Sequence, residues 1–484
     1  MEAELERLRA ENASLRGQLE EARGAGGGAG RVGPPRARGP PGPPGGPVAG
    51  GELWGTSGHG MTREQVSRYS RQVILEQIGP DRQARLLASS ALVVGAGGLG
   101  SPAGLYLAAM GVGRVGVVDR DTVDASNLHR QIMHPEASVG AHKADSARDA
   151  IRRLNASCAV EVHREGLHPG NAAGLVARYD VVLDCTDNAP SRYLLSDACV
   201  AAGRPLVSAA ALGTDGQLSV YHHGGGPCYR CVHPRPPRPE HCASCSDAGV
   251  LGAVPGAVGA LQAVEAVKVL TGAGEPLSGR LLVLDAWGGT VRTVRLRGRD
   301  PGCAACGDGA AWGPGAVAAF DYRAFTGQEM EEGPAAGVAV LGPGERVLAG
   351  DLGGVVARAA APGPAPGAGE APAELLGRAL REAAAAGRPL LVDVRPAGQW
   401  RLGHVRGSVN VPYSSFWSAA QRAAAEAEAD PAVRDAEVVL VCRRGNDSQL
   451  AARALQERGF AHVRDVAGGM EAFREAVDAS FPEY

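Results

Sequence analysis

Residues 91–110 leave this chain few choices of fold. Ala91-Leu-Val-Val-Gly-Ala-Gly-Gly-Leu-Gly100 reads as an apolar strand running straight into a glycine loop, and 101–110 reads as the helix that follows. Gly95, Gly97 and Gly100 set G-x-G-x-x-G across the turn. Glycine lets the backbone come close to a phosphate, while the next helix N-terminus supplies N–H donors and the positive end of a dipole. Asp119 ends the following strand, 19 residues past Gly100, where a carboxylate can hold ribose hydroxyls. Taken alone, the pattern favours a nicotinamide dehydrogenase.

Around this anchor the 484 residues divide by pattern, with length enough for two or three domains, each with its own core. Strand-like segments at 91–95, 114–119, 179–184, 205–211, 216–222 and 281–285 alternate with helix-like segments at 62–77, 101–110, 142–154, 190–202 and 256–270. That alternation predicts an α/β domain over 61–310 built on a Rossmann-like, mostly parallel sheet. A connector is expected over 311–342. A smaller α/β unit follows over 343–484, with strands near 389–394 and 438–442 and helices near 447–458 and 470–477. A Pro/Ala/Gly tract, 359–372, reads as a surface insertion.

The 70 glycines and 33 prolines are concentrated, above all in 24–60, which cannot bury enough apolar surface to fold and reads as a linker. Before it, Leu5, Leu8, Asn12, Leu15 and Leu19 fit a short coiled coil over 1–23, or an isolated helix too short to hold by itself. A net charge of −3 with 4% aromatics argues against nucleic acid or an anionic membrane as the main partner. The longest apolar stretch, 248–261, contains Pro255 and soon meets Glu265 and Lys268, so a buried helix is expected there. The charged N-terminus lacks the apolar core of a signal peptide, and a cytosolic enzyme is expected.

Residues after Asp119 turn the reading away from a dinucleotide. Ser126-Asn127-Leu128-His129-Arg130-Gln131 and then Lys143 bring two cations and an amide just beyond the ribose-binding strand. Such a cluster suits a triphosphate that loses pyrophosphate and builds charge. At the end of the strand Val181–Asp184, Asp187 is suited to Mg²⁺. From Arg68-Tyr-Ser-Arg-Gln72 through the glycine loop to Asp187-Asn188, residues 61–310 resemble the MoeB/ThiF enzymes related to ubiquitin activators. The resemblance implies adenylation of the C-terminal Gly-Gly carboxylate of a ubiquitin-like protein. It also implies that Gly98, Asp119, the Ser126–Arg130 segment (Ser126, Asn127, Leu128, His129 and Arg130), Lys143, Asp187 and Asn188 bind MgATP. No separate role falls to His129. Arg71 is implied to reach the nucleotide of the neighbouring subunit in a homodimer.

With no export signal, ten cysteines point to metal and catalysis before disulfides. Cys228-x-x-Cys231 and Cys303-x-x-Cys306 form a tetrahedral Cys₄ set for one structural Zn²⁺ per subunit, stapling distant parts of the domain. In MoeB/ThiF enzymes a loop crossing the adenylation site carries an acceptor cysteine. Spacing to Asp247-Ala-Gly-Val-Leu-Gly252 aligns that role with Cys245 and not its neighbour Cys242. Cys158, Cys185 and Cys199 read as core packing.

Cys442 ends an apolar strand and opens the loop Arg443-Arg-Gly-Asn-Asp447 before a helix. Loop N–H groups and a helix N-terminus there would stabilise a thiolate or persulfide, with Arg443 and Arg444 adding positive field. With Leu391-Val-Asp-Val-Arg395 and Asp465-Val-Ala-Gly-Gly469, residues 345–484 resemble a rhodanese domain. A related phosphatase needs C-x₅-R, and Ser448 stands at the arginine position.

Fused in this order, the two units resemble the adenylyltransferase–sulfurtransferases of molybdenum-cofactor synthesis and tRNA thiolation. That resemblance implies Cys245 and Cys442 as catalytic residues and ubiquitin-like sulfur carriers as partners: the small molybdopterin-synthase subunit and the ubiquitin-related modifier. It also implies a cysteine desulfurase as sulfur donor. The alternatives are an activator working through a thioester alone, and an NAD-dependent oxidoreductase.

Overall fold

The structure, a computed structural model, describes residues 59–237, 249–328, 340–359 and 371–482. The 1–23 helix, the 24–60 linker up to residue 58, Cys242, Cys245 and most of the 359–372 tract therefore lie outside the described residues.

An eight-stranded sheet organises the first half, in the order β3-β2-β1-β4-β5-β6-β7-β8. Its strands are β1 (Ser90–Val94), β2 (Arg114–Val118), β3 (Ala159–His163), β4 (Val181–Asp184), β5 (Leu206–Leu212), β6 (Asp215–Tyr221), β7 (Arg280–Asp285) and β8 (Thr290–Arg295). Neighbouring strands from β3 to β5 pair parallel; β5 to β8 pair antiparallel. The apolar run of β1 serves both faces of the sheet. Ala91 and Val93 join the core beneath the helices Gly100–Met110, Lys143–Leu154 and Ala253–Thr271, while Leu92 and Val94 join the core beneath Pro169–Val176 and Ala189–Ala202. A strand buried on both sides needs no polar alternation, which is why 91–94 is continuously apolar.

The helix Ala253–Thr271 is long and apolar enough to cross a membrane by composition, yet half of that stretch is buried inside the fold. Its buried Gln262 donates to the carbonyls of Asp184 and Val207, both at 2.8 Å. Buried Glu265 accepts from Leu277 N–H at 2.8 Å and from Lys268 Nζ. These polar ties to strands and loop fit a core helix of the domain.

A second, five-stranded, all-parallel sheet carries the C-terminal half in the order β11-β10-β12-β13-β9. It comprises β9 (Arg346–Val347), β10 (Leu390–Asp393), β11 (Val409–Asn410), β12 (Glu437–Val441) and β13 (His462–Val466). Along β12, Val438 and Leu440 face one core and Val439 and Val441 the other.

Several elements differ from expectation. The helix of the 62–77 segment, Arg63–Val73, stops early, and a second helix, Gly79–Ala88, begins where Gly79 takes φ +62°. β3, β8, β13 and the helices Pro169–Val176, Pro372–Ala386 and Tyr413–Ala429 are additional to those read from sequence. The 311–342 stretch opens with two short helices, Pro314–Ala319 and Tyr322–Thr326, whose Val317 and Tyr322 are buried in the core of the eight-stranded unit.

Candidate nucleotide and sulfur sites

A cleft of about 1170 Å³ opens at the carboxyl ends of β1, β2 and β4. Gly98, Asp119, Asn127, Arg130, Lys143, Asp187 and Asn188 line it; Arg71, Ser126, Leu128 and His129 are not among its lining residues. The glycine loop is shaped by close contact. A Cβ on Gly100 would stand 1.9 Å from the Gly95 carbonyl, and one on Gly95, at φ +95°, would meet the Cys185 carbonyl at 2.7 Å. Only glycine permits this packing of the two strand ends.

Asp119 accepts from Ala96 N–H at 2.7 Å and from Asp121 N–H at 2.9 Å, tying the carboxylate to the glycine loop. Burial pushes its pKa up, against the pull of nearby Lys143. Lys143 is itself buried and reaches Asp121 at 2.9 Å. Arg130 donates to Asn127 Oδ1 at 2.6 Å and lies 2.8 Å from His129 Nε2. Burial, then the Arg130 charge, lowers the His129 pKa. Asn188 caps the helix Ala189–Ala202 by accepting from Ser191 N–H at 2.9 Å. Beneath that loop, fully buried Asp184 accepts from Thr186 and Ser208 hydroxyls at 2.6 Å, which leaves the exposed Asp187 facing the cleft.

Tyr69 and Gln72 explain the Arg68–Gln72 motif. Buried Tyr69 accepts from Asn155, Gln72 donates to Met110 O at 3.0 Å, and the helix they dock leaves Arg71 exposed.

One site residue, His134, escaped the sequence reading, and a second, Gln131, stood in the Ser126–Gln131 run without a role of its own. Buried His134 lies 2.8 Å from Ala96 O and 2.9 Å from Ser146 Oγ, bracing the glycine loop from below. Gln131 lines the cleft, 5% exposed, with its Oε1 buried and without a hydrogen-bond partner among the described residues. Their only local signal is a pair of polar side chains three apart in an otherwise apolar turn.

Cys228, Cys231, Cys303 and Cys306 converge, with all four Sγ atoms within 4.8 Å of one another. Three of the separations are 3.7, 3.6 and 3.3 Å. A tetrahedral zinc with bonds of about 2.3 Å has sulfur–sulfur edges of about 3.8 Å, so the set can hold such an ion. Burial pushes the Cys228 thiol far up and the Cys306 thiol to about 11, which a bound cation would reverse. Cys158, Cys185 and Cys199 are buried in the core.

In the C-terminal unit Cys442 sits at the end of β12, 3% exposed. Gly445 N–H points at its Sγ from 3.1 Å and Ser448 Oγ lies 3.3 Å away. Ser448 donates to buried Asp465 at 3.1 Å, which Arg346 grips through two bonds of 2.8 and 2.9 Å. The position that would hold a phosphatase arginine thus holds a small hydroxyl on the sulfur. The glycine pair after Asp465 lets the helix Gly469–Ala476 abut the loop: Met470 N–H donates to Cys442 O and Glu471 N–H to Arg443 O. Arg443 and Arg444 both pair with Glu471 at 3.0 Å, so one carboxylate offsets part of the positive charge of the two guanidiniums. Burial raises the Cys442 pKa, against hydrogen bonds from Ser448 that lower it.

Fold and sites together define an adenylation domain joined to a sulfurtransferase module: residues 69–305 match the ThiF family and residues 377–476 the rhodanese-like domain. Adenylyltransferase and sulfurtransferase MOCS3-2 of Zea mays is 42% identical over 425 residues, 88% of this chain and 82% of that protein. The MOCS3 proteins of Arabidopsis thaliana and Bos taurus are each 40% identical, over 88% of this chain and 87% and 89% of theirs. Among solved structures, E. coli MccB with MccA-N7isoASN aligns with TM-score 0.46 and 20% identity over 52% of this chain and 76% of that one. The chain belongs to the MOCS3 family of adenylyltransferases and sulfurtransferases. It is an enzyme of both activities, and the oxidoreductase alternative is not favoured.

Proposed function

We propose that this enzyme adenylates the C-terminal glycine of ubiquitin-like sulfur carriers and converts it to a thiocarboxylate, serving molybdenum-cofactor synthesis and tRNA 2-thiolation in the cytosol. The observation that carries the reading is one cleft in which a glycine loop, a ribose-type carboxylate, Arg130, Lys143 and Asp187 meet. The carrier carboxylate attacks the α-phosphorus of ATP and displaces pyrophosphate, giving an acyl-adenylate. Arg130 and Lys143 offset the charge that builds on the phosphates. Asp187 would hold Mg²⁺, which supplies charge neutralisation at the phosphates. Arg71 would complete the site of a partner subunit in a homodimer. The four cysteines would hold a structural Zn²⁺.

Sulfur then comes from a persulfide on Cys442, loaded by a cysteine desulfurase. Its terminal sulfur attacks the acyl carbonyl and AMP leaves. Cys245 attacks the Cys442 sulfur of the resulting acyl disulfide, freeing the thiocarboxylate and leaving a Cys245–Cys442 disulfide that a thiol reductant reopens. An acyl-Cys245 thioester preceding sulfur transfer is the competing order. Mass spectrometry of a carrier incubated with enzyme, MgATP and a persulfide donor tests the reading. The expected gain is the mass of sulfur minus oxygen; an unchanged carrier overturns it.

A further inference from the structure

The segment that leaves the four-cysteine cluster toward the C-terminal unit does more than connect. Phe320, Tyr322 and Arg323 line the nucleotide cleft, more than 100 residues beyond its last motif. What holds them there is a buried arginine between two of the cysteines. Arg230, 6% exposed, forks onto Asp197 with bonds of 2.8 Å from Nε and 2.8 Å from Nη2. Its guanidinium stands 5.2 Å from the Trp312 ring, 4.8 Å from Phe320 and 4.5 Å from Phe325. Tyr322, 1% exposed, donates its hydroxyl to the same Asp197 at 2.9 Å. A buried arginine satisfied by a carboxylate fork and ringed by aromatic faces is a rigid post. Here the post fixes one short stretch of chain.

The position of that stretch indicates which part of the nucleotide it meets. Phosphates belong at the glycine loop with Arg130 and Lys143, and ribose at Asp119. The base must extend beyond the ribose, toward Leu167 and Pro169 after β3, which line the same cleft. The short helix Pro314–Ala319 packs against Pro169–Val176 and the next, Tyr322–Thr326, against Ala189–Ala202, so Arg323 enters the cleft four residues after a helix that is seated at that end. A guanidinium plane stacks readily on a purine.

We infer that Arg323 is a contact for the base of ATP, delivered by the connector, and that Tyr322 and Arg230 are the positioning residues that set it. The inference rests on the adenylation reading and deepens it. The connector would thereby make nucleotide affinity depend on the chain leading to the sulfurtransferase module.

ATP–pyrophosphate exchange with the full chain and its carrier separates the two ideas. Absence of exchange in the unsubstituted enzyme defeats adenylation itself. Given exchange, Arg323→Ala should raise the KM for ATP roughly tenfold while kcat and the KM for pyrophosphate stay within twofold. Arg323 is exposed, so folding is spared; Arg323→Lys should restore part of the affinity. Tyr322→Phe, which keeps the ring and loses the bond to Asp197, should raise the same KM by a smaller factor with metal content unchanged. A KM for ATP within twofold of the unsubstituted enzyme in both Arg323→Ala and Tyr322→Phe overturns the inference. So does a change confined to pyrophosphate, which would put Arg323 at the phosphates.

Discussion

At Cys442 the balance between burial and hydrogen bonding decides how much thiolate exists. Burial raises the pKa, Ser448 lowers it and the Asp447 charge raises it. Removing the hydroxyl should therefore leave less thiolate at pH 8, and Ser448→Ala should slow alkylation of Cys442 by iodoacetamide several-fold. Asp447→Asn should move the rate the other way. Equal rates in all three proteins would remove both groups from control of the sulfur. In the cleft, Asp187 is exposed and lines the wall; on the proposed reading Asp187→Ala should abolish ATP–pyrophosphate exchange without lowering Tm, and normal exchange would refute its magnesium role. Residue types at these positions were legible in sequence because loops of this chemistry are local. The Glu471 partner of Arg443 and Arg444 was not, since it lies 27 residues beyond Arg444 on a different element.

Elements with strong periodicity or a glycine stop were read well. The apolar strands β1, β4, β5 and β12 and the helix behind the glycine loop stand where the pattern put them. β3 and β8 escaped because they are edge strands, the first half-buried and the second largely exposed, mixing Glu, His, Thr and Arg with valine, a pattern that local preference does not separate from loop. Tertiary ties between elements were also invisible. Gln262 joins the helix Ala253–Thr271 to β4 and β5 through two carbonyls. Gln262→Leu keeps the volume and strands both acceptors, so it should cost roughly 2–4 kcal/mol in urea unfolding. A change below about 0.5 kcal/mol would mean that water reaches those carbonyls.

Over the whole molecule, the four cysteines join residues 228–231 to 303–306 and sit against Trp312, where the connector begins. Chelation should expose four thiols to a colorimetric reagent and lower the Tm of the first unit by several degrees or more. Full retention of Tm after metal loss would make the cluster dispensable for the fold. Division of labour between the two units gives the complementary test: Cys442→Ala should abolish thiocarboxylate formation and spare ATP–pyrophosphate exchange. Loss of both would contradict separate roles. By itself the sequence determined the two α/β units, the glycine loop, the paired C-x-x-C sets and the cysteine loop, because each is written in neighbouring residues whose backbone demands are local. Only the tertiary structure decided the partners: Tyr322 on Asp197 across 125 positions, and Arg346 on Asp465 across 119. Such pairs depend on how buried surfaces close, and no periodicity along the chain records that.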